Sequence, residues 1–175
     1  MSDEQFGRAL YLARRDIERR AEQRGLDDFY IPSFSHKTIV YKGMLVASQL
    51  ARYYRDLGDP DFETALALYH QRYSTNTFPN WFLAQPFRLL AHNGEINTLQ
   101  GNINWMRARE PELHSPVWGD DIQKLIPIIE ESGSDSAKLD NVAEVIGLSG
   151  RDILHAMMML VPEAWENMPH MEPAW

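Results

Sequence analysis

The sequence has no cysteine in its 175 residues. Disulfides, thiolate metal sites, iron–sulfur ligation and a cysteine nucleophile are therefore excluded within it. A cysteine-free chain fits a reducing compartment, and the cytoplasm is the expected location. Basic residues are scarce: 17 Lys and Arg against 25 Asp and Glu leave a net charge of −8. No surplus of cations is available to neutralise phosphates, so no nucleic-acid partner is expected. Long apolar runs are missing too. None approaches the ~20 residues of a membrane span, and the opening "MSDEQFGRALYLARRD" lacks the apolar stretch of a secretory signal. No membrane role is expected.

What is present reads as one globular unit. A hydrophobic fraction of 44% and a charged fraction of 24% suit a folded domain, and 175 residues suffice for one core. Ser2 followed by Gln5 predicts a capping box. Phe6, Leu10, Ile17 and Ala21 recur near helical spacing up to a stop at Arg24-Gly25. The arginines and glutamates of this helix read as a solvated face. "FYIPSFSHKTIVYKGM" predicts two short strands around Ser33–His36, and Met44 to Leu57 predicts a helix ending at the turn "LGDPD".

"FETALALYHQRY" and "FRLLAHNGEI" read as strands joined by the connection "STNTFPNW". Helices are predicted from Asn97 to Arg109, over "DDIQKLIPII", from a cap at Asp135 or Ser136 through Ile146, and over "RDILHAMMML" to Pro162. The methionines of the last helix read as core filler. The fold class expected is α+β, with residues 1–175 as one unit without an internal boundary. Helices outnumber strands, which is unusual for a complete sheet domain.

Several residues have chemistry beyond packing. Asn93-Gly94 reads either as a hairpin turn or as two neutral donors, an amide side chain and a backbone N–H, converging on the oxygen of a tetrahedral intermediate. Arg72 is either a surface arginine at a strand end or a planar fork for a carboxylate, with Ser74 and Thr75 as further donors. Asp135 is either a helix N-cap or an anion for a substrate ammonium. His70 and His92 lack a zinc-type partner at helical spacing, so no metal site is expected; they read as hydrogen-bonded strand histidines, with a catalytic-base role for either as the alternative. Taken together, a cation, an anion and a pair of carbonyl donors describe a site for an amino-acid amide such as L-glutamine.

The stretch "HQRYSTNTFPNWFLAQPFRLLAHNGEINTLQGNINWMRARE" resembles the class II glutamine amidotransferase domain of glutamate synthases. The likeness extends through "TIVYKGML", "SDSAKLDNVAEV" and "AMMMLVPEAWEN". It implies an N-terminal-nucleophile fold, an αββα sandwich, in which an N-terminal cysteine attacks the glutamine amide. By resemblance, Arg72 binds the α-carboxylate, Asp135 the α-ammonium, and Asn93 with Gly94 the oxyanion. Ser74 and Thr75 lie in the loop that closes over glutamine. In the parent enzyme the ammonia released reaches 2-oxoglutarate at a site with FMN and an iron–sulfur cluster, forming glutamate. None of these cofactors is expected in this chain.

The sequence departs from that pattern in having no cysteine and in starting at Met1, without the family's N-terminal strands. It is therefore expected to be a partial amidotransferase domain, an enzyme component by family but inactive alone. Its expected partners are L-glutamine and the remaining domains or chain of glutamate synthase. Two alternatives stand beside this: a standalone glutamine-sensing or partner-binding protein, and one half of a split amidotransferase. Unpaired sheet edges are expected to promote self-association.

Overall fold

The Ser2–Gln5 capping box forms as its spacing predicts. Ser2 Oγ accepts the Gln5 N–H at 3.2 Å, and Gln5 Oε1 accepts the Ser2 N–H at 2.8 Å. Helix α1 then runs Asp3–Glu22, with Asp3 and Glu4 in its first turn and Arg19 and Arg20 in its last, each complementing the helix dipole. It stops before Gly25, whose φ of 70° is a conformation that only glycine adopts at little cost. The computed structural model describes residues 1–72, 78–96, 99–161, 168 and 170. In these, α2 spans Ala47–Tyr53, α3 Leu99–Arg109, α4 Asp135–Leu148 and α5 Ile153–Leu160. Short 3-10 turns at Arg55–Gly58, Trp81–Leu83, Glu110–Glu112 and Gly119–Leu125 link them.

One core gathers α1, α3, α4 and the turn Gly119–Leu125. Tyr11 of α1, Ile103 of α3, Trp118, Ile122, Leu125, Ile128, Ile129, and Val142 and Val145 of α4 form a single buried cluster. Leu125 and Ile128 are fully buried, worth roughly 1.5–3 kcal/mol each by removal of apolar surface from water. Trp118 satisfies its indole N–H on Ser149 Oγ at 2.7 Å, so its burial leaves no stranded donor. Burial pushes the Tyr11 phenol up to about 12, seconded by the nearby Glu144.

Only part of the face that the apolar spacing marks on α1 is buried. Phe6 and Ile17 are exposed, whereas Ala21 is buried together with Tyr11 and Arg14. Arg14 makes a fork-to-fork pair with Glu144 of α4 at 2.7 and 2.6 Å, and Arg15 reaches Glu130 at 2.9 Å. Arg88 reaches back to Glu18 at 2.6 Å. Of the charged residues read as a solvated face, Arg14, Arg15 and Glu18 thus form an inward-facing ion-pair network, while Glu4, Arg20 and Glu22 are exposed. Burial raises the Glu18 carboxyl, while Arg88 and Arg14 oppose that rise.

The expected α+β class and the αββα sandwich are not borne out. The described residues hold helices and 3-10 turns and no strand. The segments read as strands, around Ser33–His36, over 62–72 and over 87–96, run without ladder partners. A strand exists only where a neighbouring strand takes its backbone N–H and C=O groups, and among the described residues no second strand lies beside these. Residues 61–69 are exposed throughout, with Leu66 and Tyr69 more than three-quarters so. The sheet edges expected to drive self-association are accordingly absent from the described residues; exposed apolar side chains take their place. Two smaller corrections follow. Ser134, not Asp135 or Ser136, caps α4, its Oγ accepting the Ala137 N–H at 3.2 Å. Met158 and Met159 of α5 are exposed and fill no core.

Candidate functional site

Helix α4 fixes the segment that holds Asn93 and Gly94. Its buried Asp140 receives three successive backbone N–H groups: Leu89 at 2.8 Å and Leu90 at 3.1 Å on Oδ1, and Arg88 at 3.2 Å on Oδ2. Three amides around one carboxylate hold the turn as a capping residue holds a helix end. Burial nonetheless raises the Asp140 carboxyl, against the Leu89 amide and Arg88. A few residues on, the Gln85 side chain brackets the backbone of His92. Gln85 Oε1 accepts the His92 N–H at 2.8 Å, and Gln85 Nε2 donates to the His92 carbonyl at 3.1 Å. The amide does for His92 what a neighbouring strand would do.

Two histidines then repeat one arrangement. Nδ1 of His70 accepts the backbone N–H of Arg72, two residues on, at 3.1 Å. Nδ1 of His92 accepts the backbone N–H of Gly94, again two residues on, at 3.0 Å. An Nδ1 that accepts is bare, so in each ring Nε2 holds the proton and donates outward. His70 Nε2 donates to Asn93 Oδ1 at 2.7 Å. His92 Nε2 donates to Ser136 Oγ at 2.7 Å. With its carbonyl occupied by His70, Asn93 has its amide N–H₂ left to serve a ligand.

Asp135, first residue of α4, completes the set. Its Oδ1 accepts both the hydroxyl and the backbone N–H of Ser136, at 3.1 and 2.7 Å. Its Oδ2 accepts the Ile96 N–H at 3.2 Å. Half-buried and without an ion pair among the described residues, this carboxylate is an anion available to a cation. The hairpin alternative for Asn93-Gly94 is not realised, because Gly94 lacks the positive φ of a type I′ turn. The glycine matters for another reason: a Cβ there would stand 3.2 Å from His92 Nδ1, so its absence lets the ring close on the amide.

The structure therefore joins Gly94 to Asp135 through hydrogen bonds by way of His92 and Ser136, and it brings Asn93 and the Arg72 backbone to one histidine, His70. The Arg72 side chain is exposed, with no ion pair to Asp135 or to any other described residue. Ser74 and Thr75 lie outside the described residues. Sequence reasoning missed the part of Gln85, Ser136 and Asp140, and read the two histidines as hydrogen-bonded strand residues or catalytic bases, not as holders of Asn93 and Gly94. A signal was present: Arg72 and Gly94 each stand two positions after a histidine.

Behind this segment, Lys42 is buried with its ammonium 4.8 Å from the ring centres of both Tyr30 and Phe87. Its Nζ has no hydrogen-bond partner among the described residues. Burial, then the neighbouring Arg88, pulls it down to about 7. No group of three or more His, Cys, Asp or Glu among the described residues is placed to hold a metal ion. No helix among them is long and apolar enough to cross a membrane.

Residues 1–175 match the family described as glutamine amidotransferases class-II. The chain is 54% identical over 164 residues to the glutamate synthase (NADPH) large chain of Azospirillum brasilense, covering 94% of this chain and 11% of that protein. It is 51% identical over 166 residues to the glutamate synthase (NADPH) large chain of Bacillus subtilis (strain 168), with 95% and 11% covered. Against the glutamate synthase (NADH) of Saccharomyces cerevisiae it is 50% identical over 168 residues, with 95% and 8% covered. The chain spans about a tenth of the length of the curated relatives it matches.

Proposed function

This chain belongs to the class-II glutamine amidotransferases, and we propose that it is the part of such a domain that binds L-glutamine. Asp135 takes the α-ammonium and the Arg72 guanidinium takes the α-carboxylate. The Asn93 amide and the Gly94 N–H face the side-chain carbonyl. Ser74 and Thr75 contribute from the loop after Arg72. The observation that supports this reading is the hydrogen-bonded path from Asp135, which has no ion pair among the described residues, to the Gly94 N–H beside Asn93. An anion linked in this way to carbonyl donors suits a ligand with an ammonium group and a neutral amide.

The nucleophile is not in these residues, since the chain has no cysteine. We therefore read the chain as binding glutamine without hydrolysing it, and ammonia transfer to 2-oxoglutarate as an activity of a longer glutamate synthase. An iron–sulfur cluster does not fit here, because its thiolate ligands are missing from the sequence. That cluster and FMN belong to other domains of such an enzyme, which are the natural partners of this one.

Calorimetric titration of the full chain with L-glutamine tests the proposal. Saturable binding is expected, weakened at least tenfold by Arg72→Ala and by Asp135→Asn. Absence of heat from the unaltered chain, or affinity unmoved by both substitutions, would overturn it.

A further inference from the structure

The hydrogen bonds around His92 have one consistent polarity from end to end. The Gly94 N–H donates to Nδ1 at 3.0 Å, Nε2–H donates to Ser136 Oγ at 2.7 Å, and the Ser136 hydroxyl donates to Asp135 Oδ1 at 3.1 Å. Every member has one direction open to it. The bare Nδ1 dictates the protonated Nε2, and the hydroxyl that accepts from Nε2 is free to donate only onward to the carboxylate. Ser136 is 3% exposed, so water does not compete for its hydroxyl. The His92 backbone is itself held on both sides by Gln85. The ring is thus a fixed link between two groups that the proposed function places at opposite ends of the ligand.

We infer that His92 is a positioning residue that, through Ser136, couples occupation of the Asp135 carboxylate to the readiness of the Gly94 N–H. This rests on the glutamine-binding reading above. In the unliganded chain the carboxylate draws on the Ser136 hydroxyl, the hydroxyl on Nε2–H, and Nδ1 holds the Gly94 amide. An ammonium group arriving at Asp135 competes for Oδ1 and weakens its pull on the hydroxyl. Ser136 Oγ then accepts less strongly from Nε2–H, the imidazole becomes a poorer acceptor at Nδ1, and the Gly94 amide is loosened for the ligand's carbonyl. Chains of hydrogen bonds polarise one another in this way.

The test uses L-norvaline, which has glutamine's α-ammonium and α-carboxylate but no side-chain carbonyl. In amide-resolved nitrogen NMR of the full chain, saturation with norvaline is expected to move the Gly94 resonance although the ligand cannot bond to it. Ser136→Ala should abolish that movement while norvaline still binds, and Ser136→Thr, which keeps the hydroxyl, should restore it. His92→Asn keeps a carbonyl for the Gly94 amide but cannot reach Ser136, and should abolish the movement too. Imidazole nitrogen shifts of the unaltered chain should show His92 protonated at Nε2 and bare at Nδ1. The opposite tautomer, or a Gly94 response that survives in both Ser136→Ala and His92→Asn, would overturn the coupling. Norvaline binding without movement of Gly94 would overturn the coupling alone. Failure of both norvaline and glutamine to bind would overturn the functional reading and the coupling with it.

Discussion

Asp140 Oδ1 accepts the backbone N–H of Leu89 at 2.8 Å across 51 residues of sequence. That bond, with its two companions from Arg88 and Leu90, ties the loop of the candidate site to α4. Asp140→Ala removes the acceptor of three amides in a partly buried turn and is expected to lower stability by about 3 kcal/mol. Asp140→Asn, which keeps one acceptor oxygen, should lose less. Urea denaturation followed by far-UV circular dichroism measures both.

The buried pair Arg14–Glu144 gives a second expectation. Removing the guanidinium alone leaves an uncompensated carboxylate against the core, so Arg14→Ala should cost about 3–5 kcal/mol. Replacing both partners, Arg14→Met with Glu144→Leu, should recover most of that loss, because neither charge is then buried. A double-mutant cycle on unfolding free energies reads the difference. Equal destabilisation by the single and the double replacement would contradict the account.

Lys42 predicts a pH dependence. Its folded-state value of about 7 lies below the ordinary 10.5, so between these pH values the unfolded chain binds the extra proton. The lysine therefore weakens the fold fully below pH 7, and that penalty is relieved as pH rises toward 10.5, at roughly 1.4 kcal/mol per pH unit where the slope is steepest. The two aromatic rings offset part of the cost of burying the ammonium, but the lowered value shows that desolvation wins. Lys42→Met should raise the melting temperature at pH 6 and show a smaller gain in stability from pH 7 to 10 than the unaltered chain. Thermal melts across that range check it.

The Nε2 side of His70 should act on the amide end of the ligand. His70→Asn keeps an acceptor for the Arg72 N–H but removes the donor that occupies Asn93 Oδ1, and the Asn93 amide loses its fixed orientation. Glutamine affinity is expected to fall about fivefold to tenfold, the worth of one hydrogen bond of about 1 kcal/mol. Norvaline affinity should stay nearly unchanged. Parallel calorimetric titrations separate the two.

Local chemistry made the helices readable. The Ser2–Gln5 spacing marks the start of α1 without reference to anything else, and "SDSAKLDNV" marks α4 to within a residue of its cap. What was hidden depends on distant partners. Arg14 and Arg15 look like solvent-facing residues until Glu144 and Glu130, more than a hundred positions away, come into contact with them. The alternating segments 62–72 and 87–96 have strand-like composition, yet composition supplies no neighbour to complete a ladder. In the site, Arg72, Asn93, Gly94 and Asp135 stood out by residue type. The supporting groups, Gln85 on the His92 backbone and Ser136 between His92 and Asp135, have no motif of their own, and their part follows only from the folded arrangement.

The closeness of His92 Nδ1 to the Gly94 amide has a bearing on which oxygen the site prefers. An N–H already bonded to an imidazole nitrogen exchanges one acceptor for another when a ligand arrives, so what counts is the difference in basicity between them. A neutral carbonyl oxygen is a modest competitor for that proton, whereas an oxygen bearing negative charge is a strong one. The same pairing would thus let the amide hold a neutral carbonyl weakly and a negatively charged oxygen more tightly.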